Sequence, residues 1–192
     1  VLDNFGTAVD ISADTLIVGA SGKDSPTHHE GAVYVFHRND LTGWDDGTRL
    51  ADPSPRMQGF FGSDVSIDGD HLAVASWGPG PSNEGEVYVF ERLAPTTWGN
   101  PVRIVSPDAS DSDRFGFSIA LDNDRLAIAA LNTETAYVFA RTGPNAWAHE
   151  ATLVPPVPVT TFGNAIDLDG DYLVVGANDI NGAAFVYHRS SA

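Results

Sequence analysis

A unit of about 50 residues occurs four times along this 192-residue chain. Each copy opens with Phe-Gly, and a short apolar run begins with a Leu 11 residues after the Phe. An aromatic-Val-aromatic triplet follows, with an Arg two positions after its end. The Phe-Gly pairs begin at Phe5, Phe61, Phe115 and Phe162, and the triplets end at Phe36, Phe90, Phe139 and Tyr187. A period of 47 to 56 residues indicates a repeat architecture, in which each copy is one structural unit stacked on its neighbours.

Each copy has the pattern of four short β-strands. Its apolar runs are rich in Val, Ile and aromatic residues and are bounded by Gly, Asp and Pro, which favours strands over helices. The first two strands are separated by Asp68-Gly69 in the second copy, a pair that predicts a type I′ hairpin turn with positive φ at both central residues. The triplet predicts a third strand, and a fourth is expected around Arg49 and Leu50. Four antiparallel strands per copy are typical of a β-propeller blade.

The fourth copy is shorter than the others. The first three copies carry a Trp eight residues after the triplet, and because it recurs in register we interpret it as structural. We expect the Phe of every copy to be buried between blades. The four repeats span 5–60, 61–114, 115–161 and 162–192. The Trp residues that recur in the first three repeats are Trp44, Trp98 and Trp147. The last blade is predicted to lack its outer strand, so we expect it to be completed by further blades of the same protein or by a second copy.

These motifs resemble a known family. The opening Phe-Gly, the second-strand ending Val18-Gly19-Ala20 and a third strand of the form Gly-Ala-x-Tyr-Val-Phe-x-Arg are similar to the FG-GAP repeats of β-propellers, including the head of integrin α subunits. The bacterial type of this repeat is closer still. The resemblance covers nearly the whole chain and implies an all-β fold, built as a β-propeller from four-stranded antiparallel blades. It also implies that ligand binds on the face holding the loops between second and third strands.

Charge and composition exclude several function classes. Acidic residues outnumber basic ones 26 to 10, and a net charge of −16 repels nucleic acid and anionic lipid. No apolar run reaches the ~20 residues needed to span a bilayer, so membrane insertion is not expected. The chain has no Cys, which rules out disulfides and thiol chemistry. We expect a secreted or cell-surface protein.

No metal or other cofactor is predicted. Integrin-type copies carry a calcium loop in the first hairpin of the blade, whereas the corresponding hairpins here are tight turns. Calcium needs six to eight oxygen ligands from a loop that can surround it, so a structural turn is the preferred interpretation of these hairpins. The acidic stretch that contains Asp108, Asp111 and Asp113 lacks the Gly and the distal Glu of an EF-hand loop and is also interpreted as a turn.

Candidate binding residues lie in the loops between second and third strands. The distance from the apolar run to the triplet varies between 11 and 18 residues while the flanking spacings are fixed, and variable loops on one face of an array commonly form its binding face. The candidates are Asp24, His28, His29, Glu30 and Trp77. Trp77 lies outside the repeated Trp position and is interpreted either as a binding residue that stacks on a sugar or anchors a protein, or as a ring covering a neighbouring blade. The His28-His29-Glu30 run has side chains of the kind that bind a transition metal. Because adjacent residues of an extended segment point apart and no third ligand is close in sequence, the preferred interpretation is a solvated loop.

Together these patterns predict a non-enzymatic binding propeller that recognises a protein or glycan through loops on one face. No nucleophile elbow, zinc-binding helix or other catalytic motif is present in the sequence. One alternative is a structural assembly or spacer unit of a larger surface protein. Another is a hydrolase or lyase with a carboxylate pair in a central funnel, for which the sequence singles out no pair.

Overall fold

The fold is all-β, with four antiparallel sheets arranged as a four-bladed propeller. The computed structural model describes residues 3–24, 29–78, 84–108, 112–180 and 182–190. Blade 1 contains β1 (Phe5–Ser12), β2 (Thr15–Ala20), β3 (Ala32–Asn39), β4 (Gly43–Trp44) and β5 (Thr48–Ala51). Blade 2 contains β6 (Val65–Asp68), β7 (His71–Ser76), β8 (Glu86–Ala94), β9 (Thr97–Trp98) and β10 (Val102–Ile104). Each copy of the repeat therefore forms one sheet, as the sequence predicts.

The last two blades follow the same order. Blade 3 contains β11 (Phe115–Asp122), β12 (Arg125–Ala130), β13 (Thr135–Gly143) and β14 (Ala146–Leu153), with a short 3₁₀ turn at Leu131–Thr133. Blade 4 contains β15 (Phe162–Asp169), β16 (Tyr172–Ala177) and β17 (Ala183–His188). Its sheet has three strands in the described part of the chain, as predicted for an incomplete blade. In residues 3–24, 29–78, 84–108, 112–180 and 182–190, no helix is long and apolar enough to cross a membrane.

The first hairpin of each blade is a two-residue turn, but its register differs from the prediction. Asp68 pairs with His71, so the central residues of that turn are Gly69 and Asp70. Only Gly69 has a positive φ, of 53°, which is the pattern of a type II′ rather than a type I′ turn. Asp68 remains in the strand because its Oδ2 accepts the backbone N–H of Asn123 in blade 3, at 2.7 Å.

Blades 2 to 4 each pack their front face, the side that carries the Phe, against the rear face of the preceding blade. Phe61, Phe115 and Phe162 are fully buried in the three resulting cores, as expected. The expectation for Phe5 is wrong, because its ring is 58% exposed. It lies on the front face of blade 1, and the described residues place no blade against that face. Trp44, also on blade 1, is exposed for the same reason, whereas its two counterparts pack against blade cores.

Hydrogen bonds between the innermost strands also repeat from blade to blade. A side-chain oxygen near the end of the first strand accepts the N–H of the turn in the next blade. The three bonds run from Gly69 to Ser12 at 3.1 Å, from Asn123 to Asp68 at 2.7 Å and from Gly170 to Asp122 at 2.7 Å. Because each of these bonds joins consecutive blades, they fix the register in which one blade stacks on the next.

Candidate functional site

The loops between second and third strands lie on one face with the segments that connect the blades. The N–H of Phe60, in the connection to blade 2, donates to the carbonyl of His29 in the first loop at 3.1 Å. Gly78, in the second loop, donates its N–H to the carbonyl of Gly59 at 3.0 Å. We call this side the loop face. Its existence agrees with the sequence prediction, and it brings residues from blades 1, 2 and 3 into contact.

Three aromatic rings meet on the loop face. The centroid of Trp77 lies 5.5 Å from that of Phe60 and 5.8 Å from that of Phe117, with interplanar angles of 32° and 43°. Trp77 belongs to the second copy, and Phe60 is the last residue of the first copy, directly before the buried Phe of blade 2. Phe117 follows the buried Phe of blade 3 by two residues. All three side chains are half-buried, so each keeps part of its ring available to solvent. We call these three residues the aromatic cluster.

Two polar side chains border the aromatic cluster. The guanidinium of Arg114 lies over the Trp77 ring, 5.4 Å from its centroid, which is the geometry of a cation–π interaction. The imidazole of His29 packs edge-on against Phe60 at 5.9 Å. Among the described residues, Arg114 has no carboxylate within ion-pair distance, although the chain carries 26 acidic side chains. In the described part of the chain, no carboxylate therefore competes with a ligand for the N–H donors of this guanidinium.

The backbone that presents these side chains is held in an uncommon conformation. Phe60 and Arg114 occupy the same place in their copies, one residue before the buried Phe, and have φ of 55° and 52°. Positive φ is unusual for bulky residues and persists where the surrounding structure enforces it. Here the N–H groups of Phe61 and Phe115 donate to the carbonyls of Glu30 and Glu84 in the preceding blade. These bonds fix the direction in which the Phe60 and Arg114 side chains leave the backbone.

A buried ion pair anchors the segment that carries Phe60. Arg56, four residues earlier, pairs with Glu86, whose carboxylate is almost inaccessible to solvent. Arg103 and the hydroxyl of Tyr88 also bond to Glu86, so its charge is compensated. Nearby, Asp52 accepts the N–H of Ser54 at 2.8 Å, and burial raises the pKa of the Asp52 carboxyl. The connection between blades 1 and 2 is thus a fixed support for the aromatic cluster.

The structure brings some of the predicted binding residues together. Trp77 belongs to the aromatic cluster and His29 borders it. Asp24 lies behind them, where its Oδ1 accepts the N–H of His29 at 2.8 Å and shapes the first loop. Glu30 is buried, with 2% of its surface exposed, and its carboxylate lies 3.4 Å from Arg49. His28 lies outside the described residues. A binding role for these five residues stays a prediction.

Phe60, Phe117 and Arg114 were not singled out from the sequence, although a signal was present. Of the 19 aromatic residues in the chain, 15 lie at positions that recur from copy to copy. The other four are Phe60, Trp77, Phe117 and Tyr172. Three of these four are in mutual contact through Trp77. The criterion that identified Trp77, an aromatic residue that the repeat does not require, would also have identified Phe60 and Phe117.

Metal ligation is not supported by the acidic residues whose environment is described. Within residues 3–24, 29–78, 84–108, 112–180 and 182–190, no group of three or more His, Asp or Glu side chains is arranged to hold an ion. The hairpin carboxylates of Asp68 and Asp122 already accept N–H groups of the next blade. Asp113 is buried and has interaction partners, while Asp111 lies outside the described residues.

A cavity of about 250 Å³ lies between blades 3 and 4. Its walls are largely apolar and include Leu153 and Leu173. The charged groups at its rim are already paired: Arg125 with Glu150 at 3.0 Å and Arg189 with Asp171 at 2.8 Å. The described binding candidates, Asp24, His29, Glu30 and Trp77, do not line it. Because its polar groups bond to one another, the aromatic cluster is the better candidate site.

Comparisons with known proteins agree with this architecture. No sequence among the curated proteins matches the chain. Among solved structures, the computationally designed Ika4 protein is similar, with a TM-score of 0.56 and 16% sequence identity over 96% of this chain and 91% of that one. At that identity, the likeness concerns the fold alone. The sequence profile of the FG-GAP repeat matches residues 2–36, 44–90 and 98–139, which is more than half of the chain. The chain therefore belongs to the FG-GAP repeat family.

Proposed function

We propose that this propeller is a noncovalent binding module that recognises a protein or glycan partner through the aromatic cluster on its loop face. One observation carries the proposal: three of the four aromatic residues that the repeat does not require meet in one place. If these rings served only to pack blades, equivalent positions in the other copies would need them too. These counterparts include Asn4, Ser21 and Ser63, while Leu131 corresponds to Trp77 in the third copy, and none of the counterparts is aromatic.

The composition of the cluster suits recognition. Trp and Arg are enriched among the residues that dominate binding energy at protein interfaces, because both combine large contact area with directional polar groups. Half-buried rings lose little conformational freedom when a ligand covers them, since the blade backbone already fixes their position. Arg114 adds a guanidinium without a carboxylate partner in the described structure. A ligand with a flat apolar face and a neighbouring acceptor or anionic group fits this arrangement.

Location and fold are consistent with such a role. FG-GAP repeats are typical of extracellular proteins, and this chain belongs to that family. We propose that it acts as a secreted or cell-surface protein. A second function, assembly into a larger structure, is favoured by a separate observation, the exposed faces at the two ends of the blade series. These end faces include none of the residues of the aromatic cluster.

The binding proposal is tested by selecting ligands on the wild-type chain. A phage-displayed peptide library covers the protein arm, and an array of neutral and uronic-acid-containing oligosaccharides covers the glycan arm. Ligands from either arm are then titrated against Trp77→Ala and Phe117→Ala. The matched control is Trp44→Ala, because Trp44 is also partly exposed, at 42%, but lies on the outer strand of blade 1.

We expect at least a tenfold loss of affinity in Trp77→Ala and Phe117→Ala, since a truncated central anchor commonly costs 2 kcal/mol or more, about 30-fold. Affinity of Trp44→Ala should equal that of the wild type. Ligands that bind all four proteins equally would place recognition elsewhere and contradict the proposal. The absence of any specific ligand in both arms would contradict it as well.

A further inference from the structure

The front face of blade 1 exposes side chains whose counterparts are buried in blades 2 and 3. Val9 is 63% exposed and Ile11 is 57% exposed. The residues at the same places in blade 2, Val65 and Ile67, are each 4% exposed because blade 1 covers them. Phe5 shows the same contrast with its buried counterparts. The front face of blade 1 is therefore an interblade surface that no blade covers in the described part of the chain.

The rear face of blade 4 carries the opposite half of the same interface. Val186 is 65% exposed, whereas its counterparts in the first three blades lie in interblade cores. Those counterparts are Val35 at 0%, Val89 at 2% and Val138 at 9%. Val174 is 38% exposed, and its equivalent in blade 1, Ile17, is fully buried. Contiguous apolar area of this kind on a folded domain marks an interaction site.

The polar groups of the two end faces are complementary as well. Along the series, the oxygen at the end of the first strand accepts the turn N–H of the next blade, as in the bond from Gly170 to Asp122. Asp169 occupies this acceptor position in blade 4, and Ala13 occupies the donor position in blade 1. One chain thus presents both the acceptor and the donor of a hydrogen bond that it already forms three times between its own blades.

We propose that the rear face of blade 4 binds the front face of blade 1 of a second copy, head to tail. The interface would continue the one between consecutive blades, with Val186 entering the core beside Phe5 and Val9 of the partner. Two such contacts between two copies cover both exposed faces and give a ring of eight blades. Such a contact is heterologous, and it forms a closed ring when the rotation between copies allows closure.

The net charge of the chain predicts how this association depends on salt concentration. Each copy carries −16, so two copies repel each other at long range, and dissolved salt screens that repulsion. Burial of the apolar end faces does not depend on such screening. We therefore expect the assembly to strengthen as the salt concentration rises, which is the opposite of an assembly held by surface ion pairs.

Light scattering on the 192-residue chain over a concentration series tests the proposal. The expected mass is twice that of the single 20.3 kDa chain. Val9→Asp alters the front face only, and Val186→Asp alters the rear face only. Both residues are already exposed in the single chain, so circular dichroism should show that each variant folds. We expect each variant alone to have the mass of one chain.

Mixing the two variants identifies the mode of association. The Val9→Asp chain keeps an intact rear face and the Val186→Asp chain keeps an intact front face, so one native contact can form between them. The equimolar mixture should therefore recover two-chain mass at high concentration, which neither variant reaches alone. A wild-type chain that stays single at all concentrations would overturn the proposal. A Val186→Asp variant that still pairs would also overturn the proposal, because its pairing would require front-to-front contact. Open assemblies of more than two copies would overturn it as well.

Discussion

A phenylalanine at the start of a blade stabilises this fold to the extent that another blade covers it. Phe115 lies between blades 2 and 3 and is inaccessible to solvent, whereas Phe5 occupies the same sequence position and is mostly exposed. The two side chains also contact the same kind of neighbours, since each packs against the triplet of its own blade. Their difference thus isolates the contribution of the adjacent blade.

The Phe115→Ala substitution should lower the free energy of unfolding by roughly 3 to 5 kcal/mol, the usual cost of removing a buried aromatic ring. Phe5→Ala is its matched control and should cost less than half as much, because an exposed ring leaves no cavity. Both are measured by urea denaturation at a protein concentration where light scattering shows single chains. Equal losses in the two variants would contradict the burial that the structure assigns.

Asp64 makes stability depend on pH. Burial raises the pKa of its carboxyl to about 6, although the N–H groups of Val65 and Ile119 donate to it and favour the charged form. The folded protein therefore retains this proton to higher pH than the unfolded chain does. Since the folded state binds more protons between about pH 4 and 6, the free energy of unfolding should fall as the pH rises through that range.

Asp64→Asn removes this titration and keeps an oxygen that can accept an N–H group. Between pH 4 and 7 the wild type should lose up to about 3 kcal/mol more than the variant, given 1.36 kcal/mol for each unit of pKa shift. Urea denaturation at several pH values measures the difference. Asp46→Asn, at an exposed position, is the control and should follow the wild type. Parallel pH profiles for wild type and Asp64→Asn would show that this carboxyl does not titrate as described.

At the scale of structural elements, the first hairpin of blade 1 departs from its counterparts. The first turn residue has positive φ in all four blades and is Gly69, Asn123 or Gly170 in three of them. Blade 1 has Ala13 there, with φ of 50°. An alanine in this region is strained by contact between its Cβ and the backbone, by about 1 to 2 kcal/mol. The Ala13 turn is therefore a site where the chain is not optimised for stability.

Replacing Ala13 by Gly should raise the free energy of unfolding by about 0.5 to 1 kcal/mol, the relief of strain less the added flexibility of the unfolded chain. The reverse change, Gly69→Ala, should lower it by about 1 kcal/mol. Chemical denaturation of both variants measures these effects. If Ala13→Gly were destabilising, the backbone conformation given for this turn would be wrong.

These hairpins also determine the response to calcium. Their two-residue turns cannot surround an ion that needs six to eight oxygens, and Asp68 and Asp122 already bond to the next blade. We expect the melting temperature to be the same in EDTA and in millimolar calcium. A gain of several degrees with calcium would contradict this expectation, because a ligand that binds only the folded state stabilises it. Such a gain would indicate calcium binding, with Asp108 and Asp113 as the first candidate ligands.

At the scale of the whole molecule, the fold could be predicted because every blade repeats the same local signals. Spacing identified the buried Phe of blades 2 to 4, the strand order, and the three-stranded sheet that blade 4 forms in the described residues. The exposure of Phe5 could not be predicted from its own copy, since it depends on what lies beside the first blade. The aromatic cluster brings together side chains from different blades, and a positive φ at Phe60 sets the direction of its ring. Spacing within one copy reveals neither feature, so only Trp77 was predicted from the sequence.

The proposed binding role requires that blade packing does not depend on the aromatic cluster. The copies themselves supply the replacements: Asn4, Ser21 and Ser63 occupy in other blades the places of Phe60, Trp77 and Phe117. The decisive measurement is the free energy of unfolding of the triple variant Phe60→Asn, Trp77→Ser, Phe117→Ser, compared with Phe115→Ala. We predict that the triple variant loses less stability than the single variant does, because it removes half-exposed rings at positions that tolerate polar residues. A larger loss in the triple variant would show that the cluster is part of the structural core and would contradict the account.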